Sequence, residues 1–88
     1  MHQDPPIRIE APNTASAMAL VADLLPLGKA DLVQLDDGRW EVHLSHAART
    51  PMPHVLRTVE SWLALWNEPA TTVYIAERPR LLPARNGH

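Results

Sequence analysis

The sequence predicts a single small α+β domain: a two-layer sandwich of strands and helices in the order βαββαβ. Three observations predict it. Two stretches repeat apolar residues at helical spacing, one through Met18, Val21, Ala22 and Leu25 and one from Met52 to Trp66. Runs that alternate at period two flank Asp36-Asp37-Gly38, a short-range hairpin signal. Further alternating runs begin at Ile7 and end at Glu77.

The first strand is Ile7-Arg8-Ile9-Glu10-Ala11, apolar and charged in turn, and Pro12 ends it. Asn13 and Thr14 are both good helix caps, and the stripe Met18, Val21, Ala22, Leu25 follows i, i+3, i+4, i+7 on one face of the first helix. That helix is expected to stop near Leu24 or Leu25. The residue before Pro26 is pushed out of the α region, and Gly28 offers a left-handed exit.

Lys29 to Leu35 and Arg39 to Ser45 form the hairpin. A two-residue loop of Asp37-Gly38 sets Leu35 against Trp40, Val33 against Val42, Gln34 against Glu41 and Leu32 against His43. A three-residue loop instead opposes Leu35 to Arg39 and Val33 to Glu41, and a one-residue slip moves every side chain to the other face. The even loop is the expected one.

The second helix begins within Arg49-Thr50-Pro51-Met52-Pro53, with Thr50 as its cap and proline harmless in the first turn. Met52, Val55, Leu56, Val59, Trp62, Leu63 and Trp66 hold its apolar face, and His54, Arg57, Glu60, Ser61 and Asn67 the polar one. Pro69 closes it. Thr71 to Glu77 is the last expected strand, with Val73 and Ile75 inward and Thr72, Tyr74 and Ala76 outward. Residues 1–6 are expected to be a flexible N-terminus, 7–77 the domain, and 78–88, with its prolines and arginines, a loose tail.

This order implies two right-handed crossovers that place both helices on one face of a four-stranded antiparallel sheet, a ferredoxin-like sandwich. The other face is open. With the first and third strands central, it presents Arg8, Glu10, Arg39, Glu41, His43 and Tyr74, an expected interface.

Composition narrows the function classes. The 88 residues are 45% apolar and 20% charged, with 8 basic against 10 acidic residues and a net charge of -2. There is no excess positive field for a phosphate backbone or an anionic membrane, so no nucleic-acid or membrane partner is expected. The absence of cysteine excludes disulfides, a thiolate nucleophile and Cys-ligated metal. The opening Met1-His2-Gln3-Asp4-Pro5-Pro6 is polar and proline-stiffened, so no signal peptide is expected and the chain is taken as cytoplasmic. A domain of this size buries about 60 to 65% of its unfolded surface, which favours self-association as a homodimer.

The chemistry-bearing groups are sparse. His43, His46 and His54 match no zinc signature, so no metal or other cofactor is expected. Ser45 and His46 are adjacent on a strand and point to opposite faces, the wrong placement for a nucleophile and its base. Asp36 and Asp37 are accounted for by turn chemistry. No catalytic residue is assigned and an enzyme is not expected, although Glu41 and His43 are acid-base groups on the open face. The central strands offer no aromatic platform for RNA bases. Trp62 reads as core, and Trp66, near the helix end, as a protein contact.

The stretch IRIEAPNTASAMALVADLLPLGKADLVQLDDGRWEVHL resembles the first half of an ACT-type regulatory domain, and the remainder to Glu77 fits the second half in element order. The resemblance implies sensing of a small ligand, often an amino acid, in the crevice between the first turn and a partner subunit. Carried over residue by residue, the ligand-binding positions are Ala11, Pro12, Asn13, Thr14 and Ser16, where helix-start amides and the Thr14 and Ser16 hydroxyls suit a carboxylate. The family places a glycine in this turn, where this chain has Ala15 and Ser16. Two function classes follow. One is a non-enzymatic, dimeric ligand-sensing module for an amino acid or small anion. The other is a protein-interaction or assembly module without a small-molecule site.

Overall fold

Alternation in the first strand organises the molecule. In the computed structural model, which describes residues 7–46 and 51–84, Ile7, Ile9 and Ala11 are buried while Arg8 and Glu10 face the other way. The elements in chain order are β1 (Ile7–Ala11), α1 (Thr14–Leu24), a 3₁₀ turn (Leu25–Leu27), β2 (Gly28–Gln34), β3 (Trp40–His46), α2 (Met52–Leu65), β4 (Ala70–Ile75) and β5 (Arg78–Pro83). The strands form one antiparallel sheet in the order β2-β3-β1-β4-β5.

Both helices pack on one face of this sheet. The core joins Ile9, Val42, Leu44 and Val73 of the sheet to Leu20 and Leu24 of α1 and Val55, Val59, Trp62 and Leu63 of α2. The helices are tied together by one buried bond, in which Trp62 Nε1 donates to the Ser16 carbonyl at 2.8 Å. The expected stripe of α2 is the buried one, with Met52 and Leu56 partly buried against the core. Its N-cap position falls on Pro51. Arg49 and Thr50 lie outside the described residues, as do 1–6 and 85–88. At its end Asn67 takes φ 57, and Glu68 N donates back to Leu63 O at 2.9 Å, so the helix closes ahead of Pro69.

Several expectations need correction. The sheet has five strands, not four, because Arg78–Pro83, read as tail, pairs with β4 from Ile75↔Arg78 to Ala70↔Pro83. The turn between them is Ala76-Glu77, at φ 52 and 67. Two consecutive positive φ values make a hairpin turn of the primed type, usually signalled by Asn-Gly, and nothing in Ala-Glu announces it. Ala76 therefore belongs to the turn and not to the strand.

The β2–β3 hairpin uses the three-residue loop. Gln34 pairs with Trp40, Val33 with Glu41, Leu32 with Val42 and Asp31 with His43. Leu35 N donates to Arg39 O at 2.7 Å, Gly38 N donates to Leu35 O at 3.0 Å, and Gly38 sits at φ 87. Glycine in the left-handed position of a three-residue loop admits one extra residue opposite Leu35 as a bulge, which the even register has no place for. Trp40 nonetheless remains on the core side, beside Val42 and Leu44.

The first helix is rotated by about one residue from expectation. Ser16, Ala17, Leu20 and Leu24 are buried, whereas Met18 is 59% and Leu25 56% exposed. Residues 15 to 22 are apolar apart from Ser16, so more than one stripe satisfies the spacing, and packing against α2 and the sheet selects among them. Gly28 is extended, at φ 168, since Pro26 turns the chain through a 3₁₀ segment without a left-handed residue.

The strained turn gives a stability test. Replacing Ala76-Glu77 with Asn-Gly should stabilise the fold by about 1 kcal/mol, read as a higher urea midpoint, since both residues leave a costly left-handed conformation to types that tolerate it and the Arg8–Glu77 pair lost with it is largely solvent-exposed.

Candidate functional site

The register brings the six residues of the expected open face together. Arg8 opposes His43 and Tyr74, Glu10 opposes Glu41, and Arg39 continues the alternation of β3 onto the same side. Arg8 is their hub. Its Nη1 lies 3.4 Å from Glu41 Oε1, its Nη2 lies 3.7 Å from Glu77 Oε2, and its guanidinium stacks 4.2 Å from the Tyr74 ring centroid. Glu41 also accepts from His43 Nε2 at 3.0 Å, and Val33 stands opposite it on β2. Although it lies on the helix-free face, Glu41 is only 3% exposed. Among the described residues no buried side-chain polar atom lacks a partner, so its charge is compensated where it sits.

At one margin of this face Tyr74 Oη donates to Glu10 Oε2 at 3.1 Å. That bond, and then the negative charge of Glu10, hold the Tyr74 phenol above its ordinary pKa. At the hairpin tip Asp37 accepts from the Arg39 amide at 3.1 Å and pairs with Arg39 Nε at 2.6 Å. The amide first and the side chain second lower the Asp37 pKa. Trp66 is apart from all of these. It caps α2 in the helix layer, where it is 36% exposed.

The first βα turn is held by its own hydrogen bonds. Asn13 is the N-cap, and its Oδ1 accepts from Ser16 N at 2.8 Å. Ser16 is fully buried, its hydroxyl donates to Asn13 O at 3.1 Å, and its carbonyl is held by Trp62. Thr14 is exposed at the helix start. The Ser16 hydroxyl thus serves the fold, while Ala11 and Pro12 reach an adjoining cleft.

That cleft, of about 330 Å³, opens between the end of β1 and the start of β4 and is lined by Glu10, Ala11, Pro12, Arg39, Glu68, Ala70, Thr71, Thr72 and Leu81. It exists because two strands part. The β1–β4 ladder pairs Arg8 with Tyr74 and Ile9 with Val73 and goes no further, and beyond it the Thr71 hydroxyl donates to Glu10 O at 2.6 Å in place of a backbone amide. The carboxylate of Glu68 makes no hydrogen bond or ion pair among the described residues. The turn after α2 and the unannounced β5 supply Glu68 and Leu81, which is why sequence spacing did not group them with Glu10 and Arg39.

Of the three histidines, His43 faces the helix-free side, His54 is exposed on α2, and the side chain of His46 is outside the description. Among the described residues no group of three or more His, Asp or Glu side chains is gathered as a metal site. No helix there is long and apolar enough to cross a membrane. Searches against family models, curated proteins and solved structures find no match to this chain.

Two measurements probe this face. Glu41→Gln removes the buried charge that compensates Arg8 and should cost about 1–3 kcal/mol in urea unfolding. Absorbance titration of Tyr74, the single tyrosine, should show ionisation above the ordinary tyrosine value, and Glu10→Gln should bring it back. Because the folded pKa is the raised one, the contribution of this bond is complete below the unfolded tyrosine pKa. It is lost as pH rises through the folded value.

Proposed function

We propose that the protein is a small non-enzymatic ligand-binding module of the cytoplasm, a ferredoxin-like sandwich with an added edge strand, whose ligand is a free amino acid held in the cleft between β1 and β4. The carrying observation is the charge layout of that cleft. An unpaired carboxylate, Glu68, lies in one lining with Glu10, Arg39 and the hydroxyl residues Thr71 and Thr72. A zwitterion places its ammonium toward Glu68 and Glu10 and its carboxylate toward Arg39, whose guanidinium has donors beyond the Nε used by Asp37. A simple anion meets two carboxylates there and is disfavoured.

The strand order β2-β3-β1-β4 supports the ferredoxin-like reading, and with the element order it supports the ACT-like one. The cleft begins at Ala11 and Pro12, at the end of the first strand where that resemblance locates a ligand. Asn13 and Ser16 act in this reading by fixing the turn, and Thr14 is exposed at the helix start. The second reading, an assembly module without a ligand, is favoured by a separate observation: Met18, Leu25, Leu65, Leu81 and Trp66 are exposed on its surface.

A thermal-shift panel of amino acids and small carboxylates separates the two. At ten times Kd a ligand adds about 1.4 kcal/mol, a shift of several degrees for a domain of this size. The expected result is stabilisation by at least one amino acid but not by acetate, lost in Glu68→Gln and in Arg39→Ala. No shift across the panel rejects ligand sensing and leaves the assembly reading.

A further inference from the structure

The parting of β1 from β4 leaves backbone groups without ladder partners. Ala84 N donates to Pro69 O at 2.8 Å, which fixes the phase of β4: residues 69, 71, 73 and 75 bond to β5, and 70, 72 and 74 turn their backbone toward β1. Continued past Ile9↔Val73, the register would set Glu10 against Thr72 and Pro12 against Ala70. Neither pair forms. The Glu10 carbonyl is taken by the Thr71 hydroxyl at 2.6 Å, so the Thr72 amide is without its acceptor. Pro12 has no N–H, so the Ala70 carbonyl is without its donor. Both residues line the cleft of about 330 Å³.

The cleft thus offers an acceptor at Ala70 and a donor at Thr72, two residues apart on one strand. A chain lying parallel to β4 meets both with a single residue, whose N–H donates to Ala70 O and whose C=O accepts from Thr72 N. The charges choose the direction. Glu68, which is unpaired among the described residues, precedes Ala70 in the chain, so an ammonium belongs at that end, and Arg39 lies in the same lining for a terminal carboxylate. The reverse direction sets the carboxylate against Glu68. A single amino acid that takes both backbone groups stops short of Glu68, which stands two residues before Ala70. One further residue at the amino end, advancing about 3.3 Å, carries the ammonium toward it.

We propose that the cleft takes a dipeptide laid parallel to β4, with its ammonium at Glu68, its peptide N–H on the Ala70 carbonyl and its carboxylate between the Thr72 amide and Arg39. This rests on the reading of the cleft as a zwitterion site and extends that ligand by one residue at the amino end. Recognition runs through the backbone and the two termini, and Leu81, 74% exposed in the lining, adds apolar contact for a side chain.

Isothermal titration of the full chain with alanine, alanylglycine, alanylsarcosine and alanylglycinamide is the test. Alanylglycine is expected to bind about tenfold tighter than alanine. Alanylsarcosine, whose peptide bond lacks the N–H, and alanylglycinamide, which lacks the carboxylate, should each lose about tenfold against alanylglycine. Alanine binding as tightly as alanylglycine overturns the dipeptide and leaves the amino-acid reading standing. Indifference to N-methylation or to the amide likewise overturns it. Absence of any alanylglycine binding overturns it too, while the amino-acid panel decides the broader reading separately.

Discussion

Strand β1 has to satisfy two opposite environments with five residues, and the rest of the structure depends on its doing so. It is the middle strand of the sheet, and Ile9 at its centre is completely buried in the core. One residue away, Arg8 reaches across the other face to Glu41 of β3, Tyr74 of β4 and Glu77 of the turn leading to β5. A slip by one position would drive a guanidinium into the core and an isoleucine into a charge network, so the register has no nearby competitor. A single strand thus secures the hydrophobic layer and the polar one together.

The helix layer is held by an economy of a different kind. Ser16 takes part in the cap of α1 and also receives the Trp62 indole N–H of α2. A tryptophan buried to this depth needs a hydrogen-bond acceptor, and a carbonyl in the first turn of α1 supplies it. The same arrangement commits the Ser16 hydroxyl and carbonyl to the fold. Beside it β1 and β4 part, and the Thr71 hydroxyl bonds the Glu10 carbonyl where the ladder has opened.

Much of this architecture is legible in the residues. Ile7 to Ala11, the stripe from Met52 to Leu63, the core side of Val73 and Ile75 and the convergence of Arg8, Glu10, Arg39, Glu41, His43 and Tyr74 on one face all follow from periodicity. The failures share a cause: the local signal was ambiguous or silent. In α1 an almost uninterrupted apolar run fits several stripes. At Asp36-Asp37-Gly38 the turn residues permit loops of two or three residues, and the bulge opposite Leu35 decides between them. Ala76-Glu77 carries no turn signature at all, and prolines in β5 read as a tail until edge position makes them acceptable.

The sequence by itself determined which faces of β1, β3, α2 and β4 are apolar, and hence that two helices would cover one side of an antiparallel sheet, because side-chain alternation and helical spacing are local properties of the chain. Only the tertiary structure decided the rotation of α1, the hairpin register, the fifth strand, the burial of Glu41 and the cleft that joins Glu10 and Arg39 to Glu68 and Leu81. The rotation of α1, the burial of Glu41 and the cleft depend on groups distant in sequence competing for the same space or the same hydrogen bonds, whereas the hairpin register and the fifth strand turn on which conformation a short loop adopts. That competition has no expression in a local pattern of residues.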